Sequence, residues 1–251
     1  MPRLKLTLEY DGARYAGWQS QTNGLAIQDV VAKGLKSFLG TEVKIEAASR
    51  TDAGVHAFGQ VISFDTDRQL PMKAYRMGLT DALPHDIAVV EAQEVALDFD
   101  PRRNSRGKRY LYRIYNGGHR SPLRRRSHWE LFPLLNFDAM ALEAPHLIGQ
   151  HDFTAFRASD CQARHAVRTL CSVEVTSPST GEIHISVHGT AFLKHMVRNI
   201  AGTLVEMGKG KRPAGWVREV LQGRDRTVAG PTAPAHGLTL VEVIYGESGN
   251  A

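Results

Sequence analysis

The residues best placed to do chemistry lie in the run ASRTDAGVHAFGQVISF, Ala48 to Phe64. There Arg50, Thr51, Asp52, Gly54 and His56 occupy a loop between two stretches of strand-like residues. A carboxylate beside an arginine at a strand end stays ionised, because the cation stabilises the charged form. Such a group suits a nucleophile or a base and does not suit a proton donor. Gly54 and Gly59 would let main chain approach a ligand closely. The same residues also fit a plain tight turn, with the Asp52 side chain bonded to nearby amides.

A second feature is electrostatic. The 251-residue chain carries 31 Lys and Arg against 26 Asp and Glu, a formal charge of +5. The distribution says more than the sum. Between Pro101 and Trp129 stand Arg102, Arg103, Arg106, Lys108, Arg109, Arg113, Arg120, Arg124, Arg125 and Arg126, with no acidic residue among them. Packed on one surface, such a block repels itself unless an anion neutralises it. Tyr110, Tyr112 and Tyr115 lie within it. Cations for phosphates and rings for bases are what a nucleic-acid surface needs, and Arg102, Arg109, Arg124, Arg125 and Arg126 are the candidate RNA contacts.

Other motifs fail on spacing. Asp11 in EYDG has Glu9 two places before it and lacks the following context of aspartyl phosphotransferases. The GKGK run of Gly208 to Lys211 breaks the phosphate-loop pattern and fits a helix end. His184 and His188 would share a face of one strand, but about 13 Å apart, too far for one ion. No metal site and no cofactor are expected. Cys161 and Cys171 make neither a disulfide framework nor a zinc site and read as reduced thiols. The longest uncharged stretch, Thr227 to Val241, is too short to cross a membrane and contains two prolines. The N-terminal Leu4, Leu6, Leu8 alternation is a strand and not a leader, so a cytoplasmic protein is expected.

The elements that must hold these groups follow from periodicity. Leu4, Leu6, Leu8 and Tyr10 alternate as in a strand, while Ile27, Val30, Val31, Leu35 and Phe38 share a helical face ending at Gly40. Strands are expected at Val43 to Ala48, Gln60 to Asp65 and Asp86 to Val95, with a helix over Met72 to Ala82. Tyr110, Tyr112 and Ile114 should face one way along a further strand, with Leu111, Arg113 and Tyr115 facing the other. A helix at Phe137 to Ile148 is expected despite Pro145, then a hairpin of Arg168 to Thr176 with Glu182 to His188. Helices over Phe192 to Met207 and Trp216 to Gly223 precede a last strand, Leu238 to Tyr245. The fold class is therefore α+β, with two similar lobes sharing or extending a mainly antiparallel sheet. The lobes are placed at 1–105 and 106–251, with the basic segment 102–127 at their junction.

With these residues assembled, the chain resembles the tRNA pseudouridine synthase A family. The likeness runs through EYDGARYAGWQSQ, SRTDAGVHAFGQV, ALPHDIAV, KRYLYRIYN, GQHDFTAFRAS, AFLKHMVRNIAGTLVEMGKGK and TAPAHGLTLVEVIY, in that order. Ser49, Thr80-Asp81 and the stretch Asp100 to Asn104 depart from the common family pattern. The resemblance implies the pseudouridine synthase fold, two ferredoxin-like lobes with a central catalytic cleft. It implies isomerisation of uridines at positions 38 to 40 of the tRNA anticodon stem-loop, without a cofactor, by a homodimer. It further implies Asp52 as the catalytic aspartate, Arg50 as its positioning partner and Tyr110 as the ring that contacts the base. Leu238, at the start of the last strand, would wall the pocket. A catalytically silent RNA-binding module of the same fold is the alternative.

Overall fold

The computed structural model describes residues 1–22 and 24–246. Among them the strands and helices, in chain order, are β1 (Arg3–Tyr10), α1 (Ile27–Leu39), β2 (Glu46–Ala47), β3 (His56–Asp65), α2 (Met72–Asp81), β4 (Ile87–Val95) and β5 (Ser105–Tyr115). Then come β6 (Trp129–Glu130), α3 (Phe137–Glu143), β7 (Gly149–Asp152), β8 (Val167–Thr176), β9 (Glu182–Gly189), α4 (Met196–Gly208), α5 (Trp216–Gly223) and β10 (Leu238–Tyr245). The class is α+β. The chain divides into two compact units, Met1–Arg106 with the chain from Leu240 on, and Gly107–Thr239.

In the first unit the strand order is β4-β1-β3-β10, with β2 pairing β3. β1 is antiparallel to both neighbours, Leu6 lying opposite Ile62 on β3 and Ala92 on β4. The β1 alternation does what a period of two dictates: Leu4, Leu6 and Leu8 are all but fully buried. Ile27, Val31, Leu35 and Leu39 of α1 and Tyr75 and Leu79 of α2 complete this core. The two helices meet with the Phe38 and Tyr75 rings edge-on, centroids 5.9 Å apart. β3 reaches back to His56, four residues before the expected start, and the strand expected from Val43 shrinks to Glu46–Ala47. Gly59 serves packing and not a ligand: a Cβ there would lie 2.5 Å from the Val241 carbonyl oxygen of β10.

In the second unit the order is β5-β9-β8-β7, with β6 running parallel to the end of β5. Tyr112, Ile114, Ile185 and Val187 form one wall of the core, with Ile200, Leu204, Phe153 and Phe156 also fully buried. α4 starts at Met196 and not at Phe192, because His195 before it takes a left-handed backbone (φ 62) that no helix can contain. The helix expected to Ile148 stops at Glu143, and Pro145 opens a 3-10 turn in its place. The buried Glu143 then accepts the main-chain N–H groups of Gly215 (2.5 Å) and Val217 (3.2 Å), capping α5. No described helix is long and apolar enough to cross a membrane.

Candidate active site

The Asp52 loop is held by several main-chain hydrogen bonds together with a few side chains. Ala48 N–H donates to the Val61 carbonyl at 2.9 Å as the chain leaves β2. The Gln60 side chain, fully buried, donates to the Ser49 carbonyl at 2.8 Å. Trp18 N–H donates to the Thr51 carbonyl (3.0 Å), Gly54 N–H to the Tyr15 carbonyl (3.3 Å) and Val55 N–H to the Asp52 carbonyl (3.1 Å). The Tyr10 hydroxyl meets the Thr51 hydroxyl at 2.8 Å. Gly54 supplies the left-handed step of the turn, φ 78. A main-chain carbonyl and amide, those of Asp52 and Val55, close the turn.

The segment after β1 grips this loop from beside it. A Cβ on Gly12 would lie 2.0 Å from the Val55 carbonyl oxygen, so only glycine lets the two backbones meet. Gly12 N–H donates to His56 Nδ1 at 3.1 Å. Asp11 caps the short 3-10 turn by accepting from Ala13 N–H at 3.0 Å, a structural duty unrelated to phosphoryl transfer. Below it the Tyr15 hydroxyl and the Arg14 guanidinium both reach Asp86, at 2.6 Å each. Burial pushes the Asp86 carboxyl up, but these two donors outweigh it and hold the group below its usual range. The same burial and the same anion push the Tyr15 hydroxyl up to about 12. The blocks EYDGARYAGWQSQ and SRTDAGVHAFGQV therefore form one packed unit, a contact that neither block reveals alone.

Asp52 is half-buried and Arg50 is exposed. Among the described residues Arg50 makes no ion pair, so the expected clamp of guanidinium on carboxylate is not formed in this structure. The reason is local. Residues two apart share a side only in extended chain, and the turn that begins at Asp52 ends that geometry.

Tyr110 and Leu238 lie in the second unit, each only 6% exposed. The Tyr110 ring packs edge-on against Phe192, centroids 5.0 Å apart. Its strand neighbour Tyr112 has a structural duty: its ring is fully buried and its hydroxyl donates to the Pro234 carbonyl at 2.8 Å. Tyr115, expected to face the opposite way from Tyr110 and Tyr112, is buried as well, with His119 and Arg124 of the basic segment against its ring.

That segment is not a uniform cationic strip. Arg102, Arg109, Arg125 and Arg126 are exposed. Arg124 is committed inward, donating to Glu182 at 2.7 Å while its guanidinium lies 4.8 Å from the centre of the Tyr115 ring. Charge clustering alone cannot separate an inward arginine from its outward neighbours.

Among known proteins, the family described as tRNA pseudouridine synthase matches residues 7–102 and 144–246. A tRNA pseudouridine synthase A of Myxococcus xanthus is 62% identical over 98% of this chain and 92% of its own length. The protein of that name from Geotalea uraniireducens is 49% identical over 98% of this chain and all of its own length. A solved Cbf5-Nop10-Gar1 complex is 12% identical, with a TM-score of 0.38 over 80% of this chain and 45% of that chain. The chain belongs to the tRNA pseudouridine synthase family, and so to the isomerases that act on tRNA.

Proposed function

We infer that the chain converts uridine to pseudouridine at positions 38 to 40 of the tRNA anticodon stem-loop, with Asp52 as its catalytic carboxylate. The reaction breaks the bond from ribose C1′ to N1, turns the base and joins C1′ to C5. The C5 proton leaves and N1 gains one, so the sum is redox-neutral and needs no co-reactant. The observation that carries this reading is a half-buried carboxylate on a loop whose backbone is tied by main-chain hydrogen bonds on either side of it. A group held in that way meets its target without losing rotational freedom at the moment of reaction.

A stacked uridine hides both C1′ and C6, so the nucleotide must be flipped out at a cost of a few kcal/mol. Contacts from the exposed Arg102, Arg109, Arg125 and Arg126 to phosphates offset that cost. Asp52 then attacks the sugar or the base, or takes a ribose proton. Arg50, free to move while exposed, positions the carboxylate or the substrate once RNA is present. Tyr110 contacts the flipped base and assists the late proton transfer from C5, and Leu238 walls the pocket. The protein acts as a homodimer in the cytoplasm, where undermodified tRNA is made.

Incubation with undermodified tRNA, followed by mapping of pseudouridine, tests the reading. Product at positions 38 to 40 from the wild-type chain, and none from Asp52→Asn, is the expected result. A silent RNA-binding module would bind tRNA and leave every uridine intact. Light scattering of the purified chain tests the dimer.

A further inference from the structure

The second unit contains a group of side chains that the proposed reaction does not use. Glu182 and His184 stand two residues apart on β9 and so share the half-exposed face of that strand. His128, the residue before β6, comes from the far end of the basic segment and joins them. His184 Nε2 lies 3.6 Å from Glu182 Oε2, and His128 Nε2 lies 3.9 Å from Glu182 Oε1. One ligand atom from each of the three residues lies within 4.8 Å of the other two. Both Nε2 atoms are buried and neither has a hydrogen-bond partner.

Two orphaned ring nitrogens aimed at one carboxylate are costly unless something sits between them. We propose that His128, Glu182 and His184 bind one divalent transition-metal ion of the zinc class. Two imidazoles and a carboxylate oxygen are the borderline donor set such ions prefer, and three protein ligands leave one position open. Tetrahedral ligands about 2.0–2.1 Å from an ion stand about 3.3 Å from one another, so closing the site takes side-chain shifts of about an ångström or less. The support behind the ligands is also in place. The Ser127 hydroxyl lies 2.9 Å from His128 Nδ1 and can accept the Nδ1 proton, the tautomer in which Nε2 carries the ligating lone pair. Arg124 holds Glu182 through Oε1 and leaves Oε2 for the ion. The ion would pin the end of the basic segment to β9.

The test uses the full chain, stripped with a chelator and then given Zn2+ or Co2+. One ion per chain after dialysis, a cobalt absorption spectrum of low-coordinate geometry and a thermal midpoint raised by Zn2+ are expected. His184→Gln should abolish all three while keeping the far-ultraviolet dichroism of the wild type. Ser127→Ala, which removes only the support behind His128, should weaken binding roughly 10-fold. His146→Gln, outside the cluster, should bind as the wild type does. Less than one ion per wild-type chain, the outcome if a water molecule fills the gap, would overturn the site. So would unchanged binding by His184→Gln. None of these readouts depends on pseudouridine formation, so they stand or fall apart from the catalytic reading.

Discussion

The Asp52 loop and the part of the basic segment that follows β5 are both irregular chain stretches beside a sheet, yet they are held by different forces. Around Asp52 the donors and acceptors are mostly main-chain groups, with Gly12 letting the neighbouring backbone come close. From Asn116 to His128, apart from the Asn116 N–H bond to the Gly181 carbonyl and local turns, the ties run largely through side chains. The Asn116 amide donates to the Leu131 (2.7 Å) and Pro133 (2.8 Å) carbonyls, Glu130 accepts from Ser121 N–H at 2.7 Å, and Glu182 holds Arg124. Main-chain ties do not titrate and leave the loop's side chains free to be chosen for chemistry. Side-chain ties can be adjusted residue by residue, which suits a surface that must follow the shape of a partner, and they cost the segment some of its charges.

The comparison breaks most visibly at Asp52. Asp52→Asn should lower turnover by roughly 1000-fold or more, while tRNA affinity stays within a few-fold, as single-turnover assays and filter binding would show. Substantial activity in that variant would leave the rigid loop with no chemical purpose.

Gly12→Ala should come next. The new Cβ would strike the Val55 carbonyl 2.0 Å away, and the collision should cost about 2–3 kcal/mol in urea unfolding. A variant as stable as the parent would show that the loop is less firmly seated than its hydrogen bonds imply.

The basic segment should divide by arginine. Arg125→Ala with Arg126→Ala should weaken tRNA binding and reduce the slope of log affinity against log salt by about 0.7–0.9 for each phosphate that is no longer neutralised. Thermal stability should move less than in Arg124→Ala. Arg124→Ala should do the opposite, lowering the thermal midpoint with a smaller change in the salt slope, since Glu182 and Tyr115 already engage its guanidinium. Identical behaviour of the three arginines would remove the distinction.

The smallest effect concerns pH beneath the Asp52 loop. Asp86 is held below its ordinary value of 3.8. Its contribution is therefore complete above about pH 3.8 and disappears as the pH falls through the lower folded value. The difference in thermal midpoint between the parent and Asp86→Asn should accordingly be constant at neutral pH and shrink below that point. A difference that grows in acid would place the stabilisation elsewhere.

Much of this could be read from residue order. The period-two run from Leu4 to Tyr10 and the helical stripe from Ile27 to Phe38 became β1 and α1 because burial of a single face is a local matter of spacing. Tyr110, Tyr112 and Ile114 are buried together on β5 for the same reason. The misjudged boundaries sit where one residue's backbone overrides the pattern, as at His195 before α4 and Pro145 after α3. The His128, Glu182 and His184 cluster went unseen because two of its members are neighbours on one strand while the third lies far earlier in the chain. Spacing had offered the distant pair His184 and His188 and the unsupported pair His146 and His151.

The order of residues by itself determined the family and the α+β class and singled out the carboxylate proposed for the chemistry, since these depend on local periodicity and on motifs that survive as contiguous runs. Only the tertiary structure decided how that carboxylate's loop is held, which arginine turns inward and which histidines meet. Those outcomes depend on approaches between residues far apart in the chain, and no local pattern encodes which distant backbone carbonyl or side chain will arrive beside them.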